Sequence, residues 1–114
     1  EKIYRGEVVD EKHSEIMLDI MRHTKGRSRF AKTLPKGYRL AHKTGMLRLS
    51  CSDTGVIYSP QGEYVMAMLT WKVPDYKFAA NYIAKMAAVT YKYYSPSGNI
   101  VVRRDDADSS QTGG

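Results

Sequence analysis

The sequence has few features of a disulfide scaffold and few of a membrane protein. It contains one cysteine, Cys51, in 114 residues, so no internal disulfide can set its fold. No run approaches the roughly twenty apolar residues of a membrane span, and no signal peptide begins the chain. The first residue is Glu1 and not methionine, which we interpret as a processed, truncated or engineered end. The missing signal sequence therefore says little about export.

The charge balance is basic, but the basic residues are not concentrated in one place. Lysine and arginine number 18 against 12 acidic residues, which gives a formal net charge of +6. Such an excess suits nucleic acid, an anionic surface or acidic small molecules. Because the basic residues are scattered and form no long basic helix, nucleic acid is the least favoured partner. A chain of this size buries only about two-thirds of its unfolded surface, so we expect marginal stability without a partner.

The hydrophobic pattern predicts a helix, three antiparallel strands and a second helix. The first helix covers residues 13–24, capped by Asp10 or Ser14 and ended by Gly26, and residues 25–37 hold a short basic turn or helix. The predicted strands and the last helix cover residues 38–49, 54–59, 64–72 and 75–94. Short connections between the strands, including a tight turn after Ser59, favour an antiparallel meander.

The apolar residues also predict which faces are buried. The first helix repeats Ile16, Met17, Ile20 and Met21, and the last helix repeats Phe78, Tyr82, Ile83, Met86 and Val89, each at helical spacing. The third strand is apolar at nearly every position from 65 to 69, which is typical of a strand covered on both faces. The two helices would cover one face together or one face each. Apolar sheet edges indicate that something is missing from this chain.

The first strand is interrupted by His42, Lys43, Thr44 and Gly45. Lysine is unexpected in an apolar strand, and glycine usually weakens one. A lysine cation beside a threonine hydroxyl can bind a carboxylate, and glycine lets a ligand or another backbone approach closely. The N–H of Met46 would then point at the ligand, where it can stabilise negative charge on a carbonyl oxygen.

This K-T-G motif (Lys43, Thr44 and Gly45) and its surroundings resemble class A β-lactamases and penicillin-binding proteins. The stretch "LPKGYRLAHKTGMLRLSCSDTGVIYSPQGEYVMAMLT" is similar to the family's K-T-G strand and the two strands after it, and "KFAANYIAKMAAVTYKYY" to its C-terminal helix. The resemblance implies an α+β sandwich of the β-lactamase/transpeptidase type, in which helices flank an antiparallel sheet of at least three strands. Residues 1–96 would be the C-terminal part of that domain, which is incomplete in this chain, and residues 97–114 a flexible tail.

By this resemblance, the K-T-G motif forms one wall of an active site. Lys43 would act electrostatically on the substrate carboxylate and on the proton network of the serine, and Thr44 would hydrogen-bond that carboxylate. Gly45 would leave room for the substrate, and the Met46 N–H would supply half of an oxyanion hole. Arg48 is the nearest candidate for the carboxylate-binding arginine of some relatives. The resemblance implies no cofactor and no metal.

The remaining machinery of the family is absent from the sequence. No serine is followed by lysine three residues later, and the S-D-N element is missing; we interpret "SDT" at Ser52 and "SGN" at Ser97 as chance matches because both follow the K-T-G motif. The stretch "EIMLD" from Glu15 imitates the deacylation loop, but its helical pattern predicts a solvated helix face. We therefore expect this chain to be inactive alone and to dock on an N-terminal segment that carries S-x-x-K.

The sequence supports several functions, of which one is favoured. The first is the C-terminal segment of a serine β-lactamase, which hydrolyses the β-lactam amide through an acyl-enzyme. The alternatives are a D-alanyl-D-alanine peptidase or transpeptidase, with a peptidoglycan-like substrate, and a non-catalytic ligand-binding relative. A nucleic-acid binder ranks last. By resemblance, the parent protein would be periplasmic or secreted.

Four further residues have ordinary interpretations. His42 has no obvious nucleophile to serve as a base, so we favour a structural role. His13 and His23 are ten residues apart on a helix, which makes a metal site improbable. Cys51 is predicted to lie in a loop as a small, unreactive residue.

Overall fold

The computed structural model describes residues 1–94, and in this part of the chain three strands form one antiparallel sheet with helices on both faces. The elements are α1 (Glu11–Arg22), α2 (Phe30–Thr33), β1 (Arg39–Leu47), β2 (Ser50–Ser59), β3 (Gly62–Leu69) and α3 (Tyr76–Tyr94). The strand order β1-β2-β3 confirms the predicted meander. The predicted tail at residues 97–114 and the near match at Ser97 lie outside the described residues.

Helix α1 begins at a side-chain cap. The Oδ1 atom of Asp10 accepts the backbone N–H of His13 at 2.8 Å, as the sequence predicted for one of two candidates. This bond, together with the bond to the His13 ring, holds the pKa of the Asp10 carboxyl below its ordinary value. Ser14, the other candidate, is buried inside the helix and bonds Val8. The helix ends at Arg22, four residues before the predicted stop at Gly26.

The predicted apolar face of α1 is wrong at its two isoleucines, whereas Met21 packs against the core as predicted. Ile16 and Ile20 are exposed, and the buried residues of this helix are Ser14 and Leu18. Leu18 packs with Ala41 of β1 and Val56 of β2 in a small cluster. The helix therefore covers the β1–β2 part of one sheet face, and its two isoleucines point away from that contact.

The strands are joined by two very short turns. Leu47 pairs with Ser50, which leaves only residues 48 and 49 between β1 and β2. Ser59 pairs with Gly62, which confirms the tight turn after β2. Because the first turn is so short, β2 begins four residues earlier than predicted. Cys51 therefore lies in a strand and is buried, so its predicted place in a loop is wrong.

Helix α3 covers the other sheet face together with α2. Asp75 caps α3 by accepting the N–H groups of Lys77 and Phe78, as predicted. The main core contains Phe30, Leu34, Leu40, Cys51, Ile57, Ala79, Ala80, Ile83 and Ala87. The two long helices thus cover one face each, which decides between the two predicted arrangements.

The predicted apolar face of α3 is also wrong in most positions. Its buried side chains are four alanines and Ile83, whereas Phe78, Tyr82 and Val89 are exposed. Alanine lets the helix axis approach the sheet closely, so the large residues lie on the outer side. Strand β3 is covered on one face only, since Val65 and Leu69 are exposed; the predicted burial of both faces does not hold within residues 1–94.

Candidate functional site

The K-T-G motif lies in the second half of β1, at the free edge of the sheet. Strand β1 pairs with β2 on one side and has no strand partner on the other within residues 1–94. The pairing is unbroken through the motif, with Lys43 opposite Thr54 and Gly45 opposite Ser52. Lys43 is exposed. The motif therefore presents its side chains beside an open strand edge.

Backbone geometry decides which N–H groups face outward. Residues that flank a two-residue hairpin exchange hydrogen bonds, and the N–H groups of an antiparallel strand alternate between the partner and the opposite side. Since Leu47 flanks the hairpin, Met46, Thr44 and His42 direct their backbone groups away from β2. The hydroxyl of Thr24 donates to the His42 carbonyl at 2.7 Å, which agrees with this alternation. The Met46 N–H thus points to the free edge.

Thr44 lies on the sheet face that α2 and α3 cover, opposite Asp53 in the strand pairing. Its hydroxyl donates to no group within residues 1–94, and the residue is only partly exposed. Lys43 lies on the other face of the strand, and its ammonium group donates to the backbone carbonyl of Thr44. The two side chains therefore flank the same edge from opposite sides.

Packing requires a glycine at position 45, in addition to the predicted need for ligand space. A Cβ atom at this position would lie 2.6 Å from the hydroxyl oxygen of Ser52, its partner across the strand pair. Contacts that short are not tolerated without a shift. The glycine therefore also makes space for the Ser52 side chain on that face of the sheet.

A buried arginine that the sequence analysis did not single out lies beside the K-T-G motif. Arg29 is 5% exposed, and its Nη2 atom lies 3.4 Å from the Gly45 carbonyl and 2.9 Å from the Tyr76 hydroxyl. Its Nε donates to the sulfur of Cys51 at 3.0 Å. Arg48, by contrast, is exposed in the hairpin turn. The structure thus brings Arg29, and not Arg48, against the motif.

His42 and Asp53 form a buried pair behind the K-T-G motif. The Nδ1 atom of His42 lies 2.8 Å from Oδ1 of Asp53, and both side chains are almost fully buried. The other carboxylate oxygen accepts the backbone N–H of Phe30 at 3.1 Å. Asp53 thus ties β1 to the start of α2, next to Arg29. This arrangement gives His42 the structural role that was predicted, and Asp53 of the "SDT" near match lies in the sheet.

The other candidate residues have local partners. Glu15 is exposed on α1 and binds Arg22 at 2.8 Å. His13 binds Asp10, and His23 bonds a backbone oxygen of its own helix. Within residues 1–94, no group of three or more His, Cys, Asp or Glu side chains could hold a metal ion. None of the helices within residues 1–94 has the length and apolar character needed to cross a membrane.

A family comparison identifies what this arrangement belongs to. The model of the β-lactamase enzyme family matches residues 1–94, which includes every element described above. The chain belongs to this family. No curated protein matches the chain. The family assignment confirms the resemblance that the K-T-G motif and its flanking strands indicated.

Solved structures support the same β-lactamase fold. PBP-A is 31% identical, with a TM-score of 0.72 over 80% of this chain. A variant of the TLA-1 extended-spectrum β-lactamase is 24% identical, with a TM-score of 0.75 over 81% of this chain. A β-lactamase from Sphaerobacter thermophilus is also 24% identical, with a TM-score of 0.74 over 80% of this chain. The latter two show the fold alone.

The match is partial on the side of the relatives. This β-lactamase-family chain spans 35% of the PBP-A chain, 37% of the TLA-1 chain and 35% of the Sphaerobacter chain. The residues that the family model matches contain the sheet with the K-T-G motif, and the sequence holds no S-x-x-K. The chain is therefore a partial β-lactamase-like unit, and the activity of a whole protein is a matter of proposal.

Proposed function

We propose that this chain forms the K-T-G wall of the active site of a serine β-lactamase. The observation that carries the proposal is a free strand edge with three polar groups beside it, on the two faces of the sheet. They are the Lys43 ammonium on one face, and on the other the buried Arg29 guanidinium and the Thr44 hydroxyl, which donates to no group within residues 1–94. Two cations and a hydroxyl at an edge that can pair with an extended ligand suit a substrate that carries a carboxylate.

The reaction needs a serine from a complementary N-terminal segment. Its hydroxyl oxygen would attack the β-lactam carbonyl carbon, the C–N bond of the ring would break, and the ring nitrogen would take up the proton. Water would then cleave the resulting ester and regenerate the serine. In this scheme Lys43 stabilises the developing charge, Thr44 and Arg29 bind the carboxylate, and the outward Met46 N–H donates to the oxyanion. The exported, periplasmic or secreted, location of the parent protein is part of this proposal.

Reconstitution tests the proposal. This chain is mixed with a complementary N-terminal segment that carries S-x-x-K, and nitrocefin hydrolysis is followed by absorbance. We expect turnover by the mixture and none by either piece. A Lys43→Ala chain should lose at least about a hundredfold in kcat/KM, because oxyanion and carboxylate contacts are of that order. Lys36→Ala, which removes an exposed lysine before β1, is the matched control. A mixture that forms neither product nor a penicillin adduct refutes the proposal.

The second candidate is a D-alanyl-D-alanine peptidase or transpeptidase, which shares the acylation step. It is favoured by the likeness to PBP-A, of which one variant was solved as an acyl-enzyme complex with penicillin G. Mass spectrometry of the reconstituted protein after a penicillin pulse separates the two. A peptidase keeps the adduct for hours and cleaves D-alanyl-D-alanine peptides, whereas a β-lactamase returns to its free mass within the time of nitrocefin turnover.

A non-catalytic relative is the third possibility carried over from the sequence. It predicts saturable binding of a β-lactam or a peptidoglycan fragment by this chain alone, without any serine-bearing partner. Isothermal titration of the isolated chain tests it, with Thr44→Val as the variant that removes the hydroxyl while preserving the side-chain shape. Binding that requires the N-terminal segment contradicts this reading.

A further inference from the structure

Arg29 is a buried cation with no acidic partner in the part of the chain that the structure describes. Its guanidinium is held by a sulfur, a phenol and a backbone carbonyl, and none of the ion pairs within residues 1–94 includes it. Burying a charge is costly unless it is paired. Nη1 donates to no group within residues 1–94. The site therefore has a guanidinium that is oriented in advance and lacks an anion.

Tyr76 fixes this guanidinium in two ways. Its hydroxyl accepts from Nη2 of Arg29 at 2.9 Å, and the Cζ atom of Arg29 lies 5.4 Å from the centre of the Tyr76 ring. Tyr76 is the first residue of α3, and Asp75 before it holds the helix start through two backbone bonds. The orientation of the Arg29 side chain therefore depends on where α3 begins.

Cys51 fixes the opposite side of the guanidinium. Its sulfur accepts from Nε at 3.0 Å and is buried. The backbone of Cys51 is held in turn by Thr70, which bonds both its N–H and its carbonyl. Cys51 of β2 is the strand partner of Met46, the residue whose N–H points to the free edge.

We propose that Tyr76 and Cys51 are positioning residues, which aim the Arg29 guanidinium at the carboxylate of the substrate at the Gly45 end of the K-T-G motif. The inference rests on the proposed function for the identity of the anion. Tyr76 supplies a hydrogen-bond acceptor for Nη2 and a ring face for the guanidinium. Cys51 supplies a sulfur acceptor for Nε, which prevents the guanidinium from rotating. Neither touches the substrate.

Arginine side-chain NMR tests the positioning in this chain itself. The Nε–H resonance of Arg29, assigned by its loss in Arg29→Lys, should be dispersed and slow to exchange with water. Tyr76→Phe, which keeps the ring and removes the hydroxyl, and Cys51→Ala should each move the resonance and speed its exchange. Cys51→Ser should restore part of the protection, and Tyr82→Phe on the same helix should change nothing. An unchanged resonance in both Tyr76→Phe and Cys51→Ala overturns the proposal.

Acetate serves as the probe for the anion. We expect its titration into the unsubstituted chain to shift the Arg29 resonance saturably, and Tyr76→Phe to weaken this binding about tenfold, the size of one charge-assisted hydrogen bond. No response of the resonance to acetate in the unsubstituted chain overturns the carboxylate role. This readout does not depend on a nucleophile, so it stands apart from the test of the proposed function.

The reconstituted protein gives the second readout. Tyr76→Phe should raise KM for nitrocefin about tenfold while kcat stays within about twofold, because a carboxylate contact is lost and the reacting atoms keep their geometry. An ester of the same cephalosporin, whose carboxylate is blocked, should show no such change. Equal effects on the acid and the ester mean a general structural defect and overturn the proposal. Absence of all turnover before any substitution counts against the proposed function, and the acetate titration then decides the inference.

Discussion

The carboxylate of Asp53 connects two elements of the site through its two oxygens. One lies 2.8 Å from the His42 ring, and the other accepts the N–H of Phe30 at 3.1 Å. All three groups are buried. Removing one member of a buried pair leaves the others without partners, and the cost is then the desolvation of the orphaned groups.

We therefore expect Asp53→Ala to lower the free energy of unfolding by about 3–5 kcal/mol, a large part of the roughly 5–15 kcal/mol of a typical domain. Urea titration followed by circular dichroism measures it. The stability of Asp53→Asn, which keeps an acceptor for the Phe30 N–H, should lie between that of the unsubstituted chain and that of Asp53→Ala. Asp19→Ala, which removes an exposed carboxylate of α1, should cost less than about 1 kcal/mol. Equal stability of Asp53→Ala and Asp19→Ala contradicts the connecting role.

Tyr64 makes the protein sensitive to alkaline pH. Burial raises the pKa of its phenol, and the nearby Tyr91 and Tyr94 add to the shift. The folded protein therefore keeps the phenol neutral at pH values where the unfolded chain ionises it. The contribution of Tyr64 to the free energy of unfolding is fully present below the unfolded pKa of about 10. It is lost as the pH rises above that value.

Tyr64→Phe should accordingly lose less stability than the unsubstituted chain between about pH 9 and pH 11. At neutral pH it should be no less stable, because the Tyr64 hydroxyl is buried without a hydrogen-bond partner among the described residues. Urea unfolding at a series of pH values measures both effects. Tyr82→Phe, which removes an exposed phenol from α3, serves as the control. Parallel pH profiles for Tyr64→Phe and the unsubstituted chain contradict the prediction.

At the scale of the elements, the pairing of β1 with β2 depends on a glycine. A Cβ atom on Gly55 would lie 2.2 Å from the carbonyl oxygen of Ala41 and 2.7 Å from the Cα atom of His42. Both are backbone atoms of the strand that carries the K-T-G motif. The Cβ atom of an alanine at position 55 would therefore force the two strands apart.

Gly55→Ala should thus destabilise the fold by at least about 2 kcal/mol, as severe overpacking does. Gly45→Ala is the informative comparison, because its new Cβ would meet only the hydroxyl of Ser52, which can rotate or be removed. In a double-mutant cycle, Ser52→Ala should recover most of the loss in Gly45→Ala. Ser52→Ala should not rescue Gly55→Ala, because the new Cβ at position 55 would meet the backbone of residues 41 and 42. A Gly55→Ala chain as stable as the unsubstituted one would show that the strands can separate at no cost.

The helix faces show where sequence reasoning succeeds and where it fails. The existence, order and caps of α1 and α3 follow from local signals such as Asp10 and Asp75, and the structure confirms them. The buried faces do not follow. Besides its polar side, helix α3 has two apolar stripes, one of large residues and one of alanines. Which stripe meets the sheet depends on how closely the sheet can be approached, a property of the tertiary structure.

In the site, too, some residues could be predicted from the sequence and one could not. Lys43, Thr44 and Met46 are close in sequence, so a strand period of two is enough to relate them. Arg29 lies outside β1, just before α2 and sixteen residues before Gly45, and no spacing rule places it at that carbonyl. The only sequence signal is local: Arg29 directly precedes Phe30, an apolar residue in a basic stretch. Only the fold of the connector between α1 and β1 shows that its guanidinium turns inward.

At the scale of the whole molecule, the sheet face that α1 leaves open is apolar. Val65 and Leu69 of β3 are 48% and 76% exposed, and Ala67 between them is exposed as well. Strand β3 has no partner on its outer side within residues 1–94. Exposed apolar patches and unpaired edges promote association. In the relatives, this chain corresponds to about 35% of the structure, so much of the fold has no counterpart here.

The isolated chain should therefore bind the dye ANS and associate as its concentration rises. Leu69→Lys should reduce both effects, because it places a charge in the open face. Val89→Lys, which adds the same charge to the exposed side of α3, is the matched control and should leave most of the binding in place. Fluorescence titration and sedimentation velocity measure the two effects. If Leu69→Lys and Val89→Lys behave alike, the open face of β3 is not the source of association. Addition of an N-terminal segment that restores nitrocefin turnover should suppress ANS binding in parallel, which links completion of the fold to completion of the site.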